Sequence, residues 1–166
     1  MMEAGTLLEY LMPLRTVPST FARMDTQRAM LQDRARVEAL ARAIAGSVRP
    51  GDVVVEVGTG CGLLAVLAAR AGARRVFAIE ATELWQVARD VIAHNGVADV
   101  VQVIPGMSFD VELPERGDVL ITETLGHLGV DEGIVATVAD ARGRLLKPGA
   151  RLVPERIDIL LALTSD

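Results

Sequence analysis

The segment Val53-Val54-Val55-Glu56-Val57-Gly58-Thr59-Gly60-Cys61-Gly62 restricts the fold more than any other part of the chain. Its β-branched apolar run predicts a strand buried on both faces. The run meets three glycines at alternate positions, which permit a tight turn and close approach of the backbone to a ligand. Leu63 to Ala69 follows at once, uncharged and apolar, and predicts a short helix opening directly from the turn. An ordinary strand-to-helix turn, with no ligand, is the alternative reading of the same residues.

The pattern continues downstream. Val76-Phe77-Ala78-Ile79, Val100 to Ile104, Val119-Leu120-Ile121 and Arg151-Leu152-Val153 are further strand candidates. Between them run helical stripes at i, i+3, i+4, i+7 spacing: Leu84, Val87, Ala88, Val91, and later Ile134, Val138, Ala141, Leu145. Val37, Leu40, Ala41 and Ile44 form another stripe upstream. Pro50-Gly51-Asp52 sets off the first strand and Asn95-Gly96 closes a helix begun near Glu83, while Lys147-Pro148-Gly149 separates the last stripe from the last strand. Alternation of this kind predicts an α/β fold: a Rossmann-like, doubly wound, mostly parallel sheet with helices on both faces and right-handed crossovers. Residues 1–32, with Pro13 and Pro18, are the least regular part and form a candidate N-terminal lid or helical segment; residues 33–166 form the main domain.

Composition narrows the function. Lys and Arg number 17 against 22 Asp and Glu, a formal net charge of −5, and there are one Trp, one Tyr and three Phe. A nucleic-acid partner is not expected, since backbone binding needs a basic face and base stacking needs aromatics. No apolar run approaches the roughly 18 residues of a membrane span, and Met-Met-Glu-Ala-Gly lacks a basic signal-peptide start. A cytoplasmic protein is expected. One cysteine and two histidines leave no metal-ligand spacing.

Several residues carry chemistry. The spacing Gly58-x-Gly60-x-Gly62 is shorter than the G-x-G-x-x-G of dinucleotide sites and favours an adenosyl-amino-acid ligand over a pyrophosphate. Glu80 ends the second strand candidate, 22 residues after Gly58, where a carboxylate can accept hydrogen bonds from both ribose hydroxyls; a solvated strand end is its alternative. Glu56 is placed to order the loop backbone or to meet an amino group of the ligand. Pro105-Gly106-Met107-Ser108-Phe109 is a loop expected to border an adenine ring. After the fourth strand candidate come Glu123 and, nine residues on, Glu132, two carboxylates suited to clamping a planar cation such as a guanidinium. Glu132 also has a plainer reading, as an acid at a helix N-terminus favoured by the macrodipole.

At this point the residues resemble the protein arginine methyltransferase family, over most of the chain from about Phe21 to Leu161. Met30-Leu31-Gln32-Asp33-Arg34-Ala35-Arg36 looks like that family's N-terminal helix; the resemblance implies that Met30 covers the cofactor and Arg36 pairs with its methionyl carboxylate. Val55 to Gly62 is similar to the first motif, Val76 to Glu80 to the ribose-binding acid, and Glu123 with Glu132 to the double-glutamate loop. Leu146-Lys147-Pro148-Gly149 and Val153-Pro154-Glu155-Arg156 resemble the end of the cofactor domain. The sequence departs from the family in having Thr124-Leu125-Gly126-His127 where Trp-Met-Gly-Tyr is usual, Gln27 in place of a histidine, and Phe109-Asp110 where an adenine-side carboxylate is usual. In that family a β-barrel with a Thr-His-Trp loop and a dimerisation arm follows the region that ends here at Asp166, so the arginine pocket that the resemblance implies is incomplete unless another chain supplies the rest.

The expected cofactor is S-adenosylmethionine (SAM), held by the first helix through Met30 and Arg36, by the loop residues Glu56, Gly58, Gly60, Cys61, Gly62 and Leu63, by Glu80 and Ala81, and by Met107 and Ser108. Glu123 and Glu132 are the expected catalytic pair, with His127 a candidate proton acceptor. The expected reaction is methyl transfer to a guanidino or amino nitrogen of a small molecule or peptide. Transfer to oxygen or carbon is the alternative, as is a SAM-binding subunit active only with a partner; a homodimer or partner subunit is anticipated.

Overall fold

A computed structural model describes residues 17, 20–126, 129–130, 132–160 and 162. Two helices come first, α1 (Met24–Gln32) and α2 (Arg34–Ser47), followed by β1 (Val53–Val57), α3 (Leu63–Arg70), β2 (Arg75–Glu80), α4 (Leu84–His94) and β3 (Val101–Pro105). A three-residue 3-10 turn at Ser108–Asp110 leads to β4 (Gly117–Thr122), α5 (Ile134–Arg144) and β5 (Leu146–Val153). The strands form one sheet in the order β3-β2-β1-β4-β5, every neighbouring pair parallel. This is the expected doubly wound α/β sheet.

The order explains the sequence pattern. β1 lies in the centre and all five of its residues are buried. Its side chains alternate between two apolar clusters: Val54 joins α2, α3 and α4 residues on one face, while Val53, Val55 and Val57 join Ala141 of α5 and Leu145 just after it on the other. β3 is an edge strand with Gln102 and Pro105 exposed, so the expectation of full burial fails there. In α4 the buried residues Leu84, Ala88 and Ile92 follow i, i+4, i+8, and Val91 packs partly buried beside them. Among the described residues, no helix is long and apolar enough to cross a membrane.

One boundary differs from expectation. Lys147-Pro148-Gly149 lies inside β5 rather than before it. β5 pairs only with β4, so Pro148 removes no ladder bond that the sheet needs. The register jumps from Gly117↔Leu146 to Val119↔Arg151, and the intervening residues of β5 bulge outward with Lys147, Pro148 and Gly149 exposed.

Candidate active site

The direction of strand progression reverses between β1 and β4, and in open α/β sheets ligands bind beyond the carboxyl ends of the strands at such a point. A cavity of about 370 Å³ opens there, lined by the ends of β1, β2 and β4 together with α1 and the loop after β3. That volume lies within the roughly 300–1,000 Å³ of small-molecule sites.

The glycine loop forms one wall. Gly58 and Thr59 donate their N–H groups to the Ile79 carbonyl at 3.0 and 3.1 Å, Gly62 donates to the Thr59 carbonyl at 2.9 Å, and Gly60 donates to Glu80 Oε2 at 2.7 Å. These amides are spent on the protein itself. A phosphate cradle needs its amides aimed at the ligand, so the loop offers shape and not an anion nest. Gly60 has φ +54 and a Cβ there would stand 2.8 Å from Gln27 Oε1. Gly62 has φ +87, caps α3 and packs 3.3 Å from the Ala88 backbone when a Cβ is built on it. It does not line the cavity; its lack of a side chain serves the contact between α3 and α4, contrary to the expected ligand contact.

Glu80 lines the cavity and is 6 % exposed. Its Oε1 accepts from Thr82 N at 2.8 Å and Thr82 Oγ1 at 2.7 Å, and its Oε2 accepts from Gly60, so the carboxylate is locked across the end of β2 with a lone pair of Oε2 still available. Glu56 behaves differently. It is fully buried and off the cavity wall, its Oε2 accepting from Thr59 Oγ1 at 2.8 Å while Oε1 has no partner. Burial pushes its carboxyl up to about 8, the Thr59 hydroxyl opposing this and the Glu80 charge adding to it. A neutral acid suits that place, because an orphaned buried charge costs far more than an orphaned neutral oxygen. Of the two roles anticipated for Glu56, the geometry matches loop ordering, through Thr59.

Helices α1 and α2 cover the site. Asp33 separates them and caps α2, its side chain accepting from Arg36 N at 3.0 Å. Met30, Leu31 and the buried Gln27 of α1 line the cavity with Phe21. Gln27 donates from Nε2 to the Phe21 carbonyl at 3.1 Å while its Oε1 lies against Gly60, so it ties the chain before α1 over the glycine loop. The sequence marked this position only as a replaced histidine.

Beyond β4, Thr122 Oγ1 donates to the Val57 carbonyl at 3.1 Å, joining the ends of β1 and β4 across the switch point. Thr124 lies near Thr122 Oγ1, 3.3 Å between hydroxyls, and its methyl covers Gly58. Glu123 projects between these threonines into the cavity and forms an ion pair with Arg36 Nη2, both side chains about a quarter exposed. The expected partner of Arg36 was a ligand carboxylate; in this structure Arg36 instead neutralises one member of the expected catalytic pair. Glu132 lines the same cavity, just before Gly133, which begins α5 at φ +75. His127 lies outside the described residues.

On the far wall Met107, Ser108 and Phe109 line the cavity, whereas Asp110 is exposed and off it. Cys61, Leu63 and Ala81 also line it, and burial pushes the Cys61 thiol up. Among the described residues expected to hold the cofactor or the acceptor, only Glu56 and Gly62 lie off the cavity wall. Apolar walls, a fixed acid at the end of β2 and a cationic Arg36 fit a nucleoside that carries an amino acid.

Comparison with known proteins agrees. A family model described as Ribosomal protein L11 methyltransferase (PrmA) matches residues 36–153. The rice (Oryza sativa subsp. japonica) protein arginine N-methyltransferase PRMT10 is 41% identical over 145 residues, covering 86% of this chain and 38% of its own length. The probable protein arginine N-methyltransferase 6 of Arabidopsis thaliana is 38% identical over 145 residues, covering 86% of this chain and 33% of its own length. Among solved structures, Arabidopsis thaliana protein arginine methyltransferase 10 superposes with a TM-score of 0.74 at 39% identity, over 78% of this chain and 38% of that one. The Trypanosoma brucei PRMT1 enzyme-prozyme heterotetrameric complex with AdoHcy gives 0.76 at 30% identity, over 80% and 43%. The chain thus spans well under half the length of the relatives it matches.

Proposed function

Because the chain belongs to the methyltransferase family described as Ribosomal protein L11 methyltransferase (PrmA), a class I domain that uses SAM, we propose that it methylates a guanidino or amino nitrogen of a peptide or small molecule. A protein arginine is the first acceptor to test, since relatives similar to the chain over this region are named protein arginine N-methyltransferases. The observation that carries the proposal is the meeting of Glu80, Arg36, Glu123 and Glu132 in one cavity, drawn from three separate stretches of the chain.

SAM supplies an electrophilic methyl on a sulfonium, so the protein's task is alignment and exclusion of water. Glu80, already locked by Gly60 and Thr82, would accept from the ribose hydroxyls. Met107 and Phe109 would meet the adenine, and Met30 and Leu31, which line the same cavity, would cover the ligand. Arg36, paired with Glu123, would also hold the methionyl carboxylate. Glu123 keeps lone pairs beyond the one given to Arg36 and accepts from the acceptor guanidinium, with Glu132 as the second acceptor of that planar fork. A guanidinium does not deprotonate beforehand, so its proton would pass to one of the facing carboxylates, Glu123 or Glu132, as the new N–C bond forms and the methyl–sulfur bond breaks. Transfer of a labelled methyl group to arginine-containing peptides, set against free arginine and simple amines, tests the proposal; label entering none of them, with SAM bound, would remove it.

A second reading rests on a separate observation. One structural neighbour is described as an enzyme-prozyme heterotetrameric complex. A SAM-binding subunit that acts only beside a partner fits that description. Activity that appears on adding a cell extract, and elutes with a heavier complex, would support it over the first.

A further inference from the structure

The passage from β3 to β4 has no α-helix, only the three-residue turn at Ser108–Asp110, yet it supplies one wall of the cavity. The other passages between strands each carry a helix of 8 to 11 residues. Something else must hold this wall, and the structure assigns that work to Arg144, which we propose as a positioning residue for the adenosine part of the ligand. The inference rests on the cofactor assignment above.

Arg144 ends α5, outside the cavity. Its Nη2 donates to the Ser108 carbonyl at 2.8 Å and its Nη1 to the Val111 carbonyl at 2.9 Å. The same guanidinium is fixed in place by Asp140 one turn earlier, Nε to Oδ1 at 2.8 Å and Nη2 to Oδ2 at 2.6 Å. A planar fork with donors on three nitrogens can span two carbonyls and a carboxylate at once; a lysine ammonium cannot hold that geometry. Besides this clamp, the turn has the bond from Asp110 N to the Met107 carbonyl, the bond from Gly106 N to the Glu80 carbonyl, and the buried Val111 side chain. Arg144 grips the turn from behind while Met107, Ser108 and Phe109 face the ligand.

The clamp acts on binding and not on the reacting atoms. With Arg144 replaced, the two carbonyls can turn to water, because the Arg144 side chain is itself 37% exposed. What is lost is the order of the turn, and a ligand must then restore it. Fixing about one further residue on binding corresponds to roughly a tenfold loss of affinity.

Calorimetry on the full chain with SAM and with 5′-methylthioadenosine, which lacks the amino-acid part, tests this. Arg144→Ala and Arg144→Lys should each weaken both ligands by about tenfold, with kcat at saturating SAM within about twofold of the parent. Asp140→Asn, which frees the fork without removing it, should weaken both by about threefold, and it carries the test by itself if the Arg144 variants do not fold. Affinities within twofold of the parent in every variant overturn the inference, as does an Arg144→Lys protein that binds like the parent, or a loss confined to SAM. A parent protein that binds neither ligand overturns the cofactor assignment instead.

Discussion

The loops that follow β1 and β4 leave the sheet side by side, and they are built on different principles. After β1, the amides of Gly58, Thr59, Gly60 and Gly62 all find partners within the loop or along β2, and the turn is pinned between buried helices. After β4, the described part of the loop is held by two threonine hydroxyls and by one ion pair to a helix 87 residues earlier in the chain. The first loop is a matter of backbone geometry and packing. The second is a matter of charge. A wall made of backbone suits a ligand that is always the same, and a wall made of partly exposed charges suits an acceptor that is selected.

Four changes test that contrast. The largest effect is expected at the charged end: Glu123→Gln should lower turnover by about 10²–10³-fold, as loss of a preorganised electrostatic partner does elsewhere, with the Kd for SAM within about threefold by calorimetry. A parallel loss of SAM affinity would show that the two loops are not separable. Next comes pH. Glu56 in the fold holds its proton up to about 8, against 4.5 for the ordinary carboxyl. Between those values the unfolded chain binds fewer protons than the folded one, so stability falls as pH rises through the window and levels off above it. Each pH step of one across that window removes about 1.4 kcal/mol, so urea midpoints should fall steadily through it. Glu56→Gln should flatten the profile; an unchanged profile would mean the carboxyl is ionised in the fold.

The remaining two are smaller. Glu80→Ala should raise the Kd for SAM about tenfold, the worth of a hydrogen bond to a charged group, while kcat at saturation stays near the parent value. Gly62→Ala, which puts a side chain at φ +87 against the Ala88 backbone, should cost about 1–3 kcal/mol in chemical denaturation. It should leave acceptor preference untouched. If preference shifts, the glycine loop is not the passive wall described.

The two loops were also unequally legible in the sequence. The strand cores, the glycine turn and Glu80 followed from local pattern, because β-branched runs and glycine spacing report on residues a few positions apart. Pairings across long separations left no such trace: nothing near Arg36 or Glu123 signals that each is the other's partner, and nothing near Arg144 points to Ser108. Side-chain direction was equally hidden at Glu56, whose strand is buried on both faces, so that no alternation told inward from cavity-facing. Lys147-Pro148-Gly149 looked like a stop signal because proline usually breaks a ladder; only the edge position of β5 makes it harmless.

The central place of β1 also orders events in time. Val54 pairs with Val76 on one side and with Val119 on the other, 43 residues later in the chain. At about 5–20 residues per second on a ribosome, roughly 2–9 seconds separate the synthesis of those two partners. During that interval the cofactor residues Glu80, Met107 and Ser108 are being made, while Val53-Val54-Val55 shows an unpaired, charge-free edge on its β4 side. The centre of the sheet is thus complete only once β4 has been made.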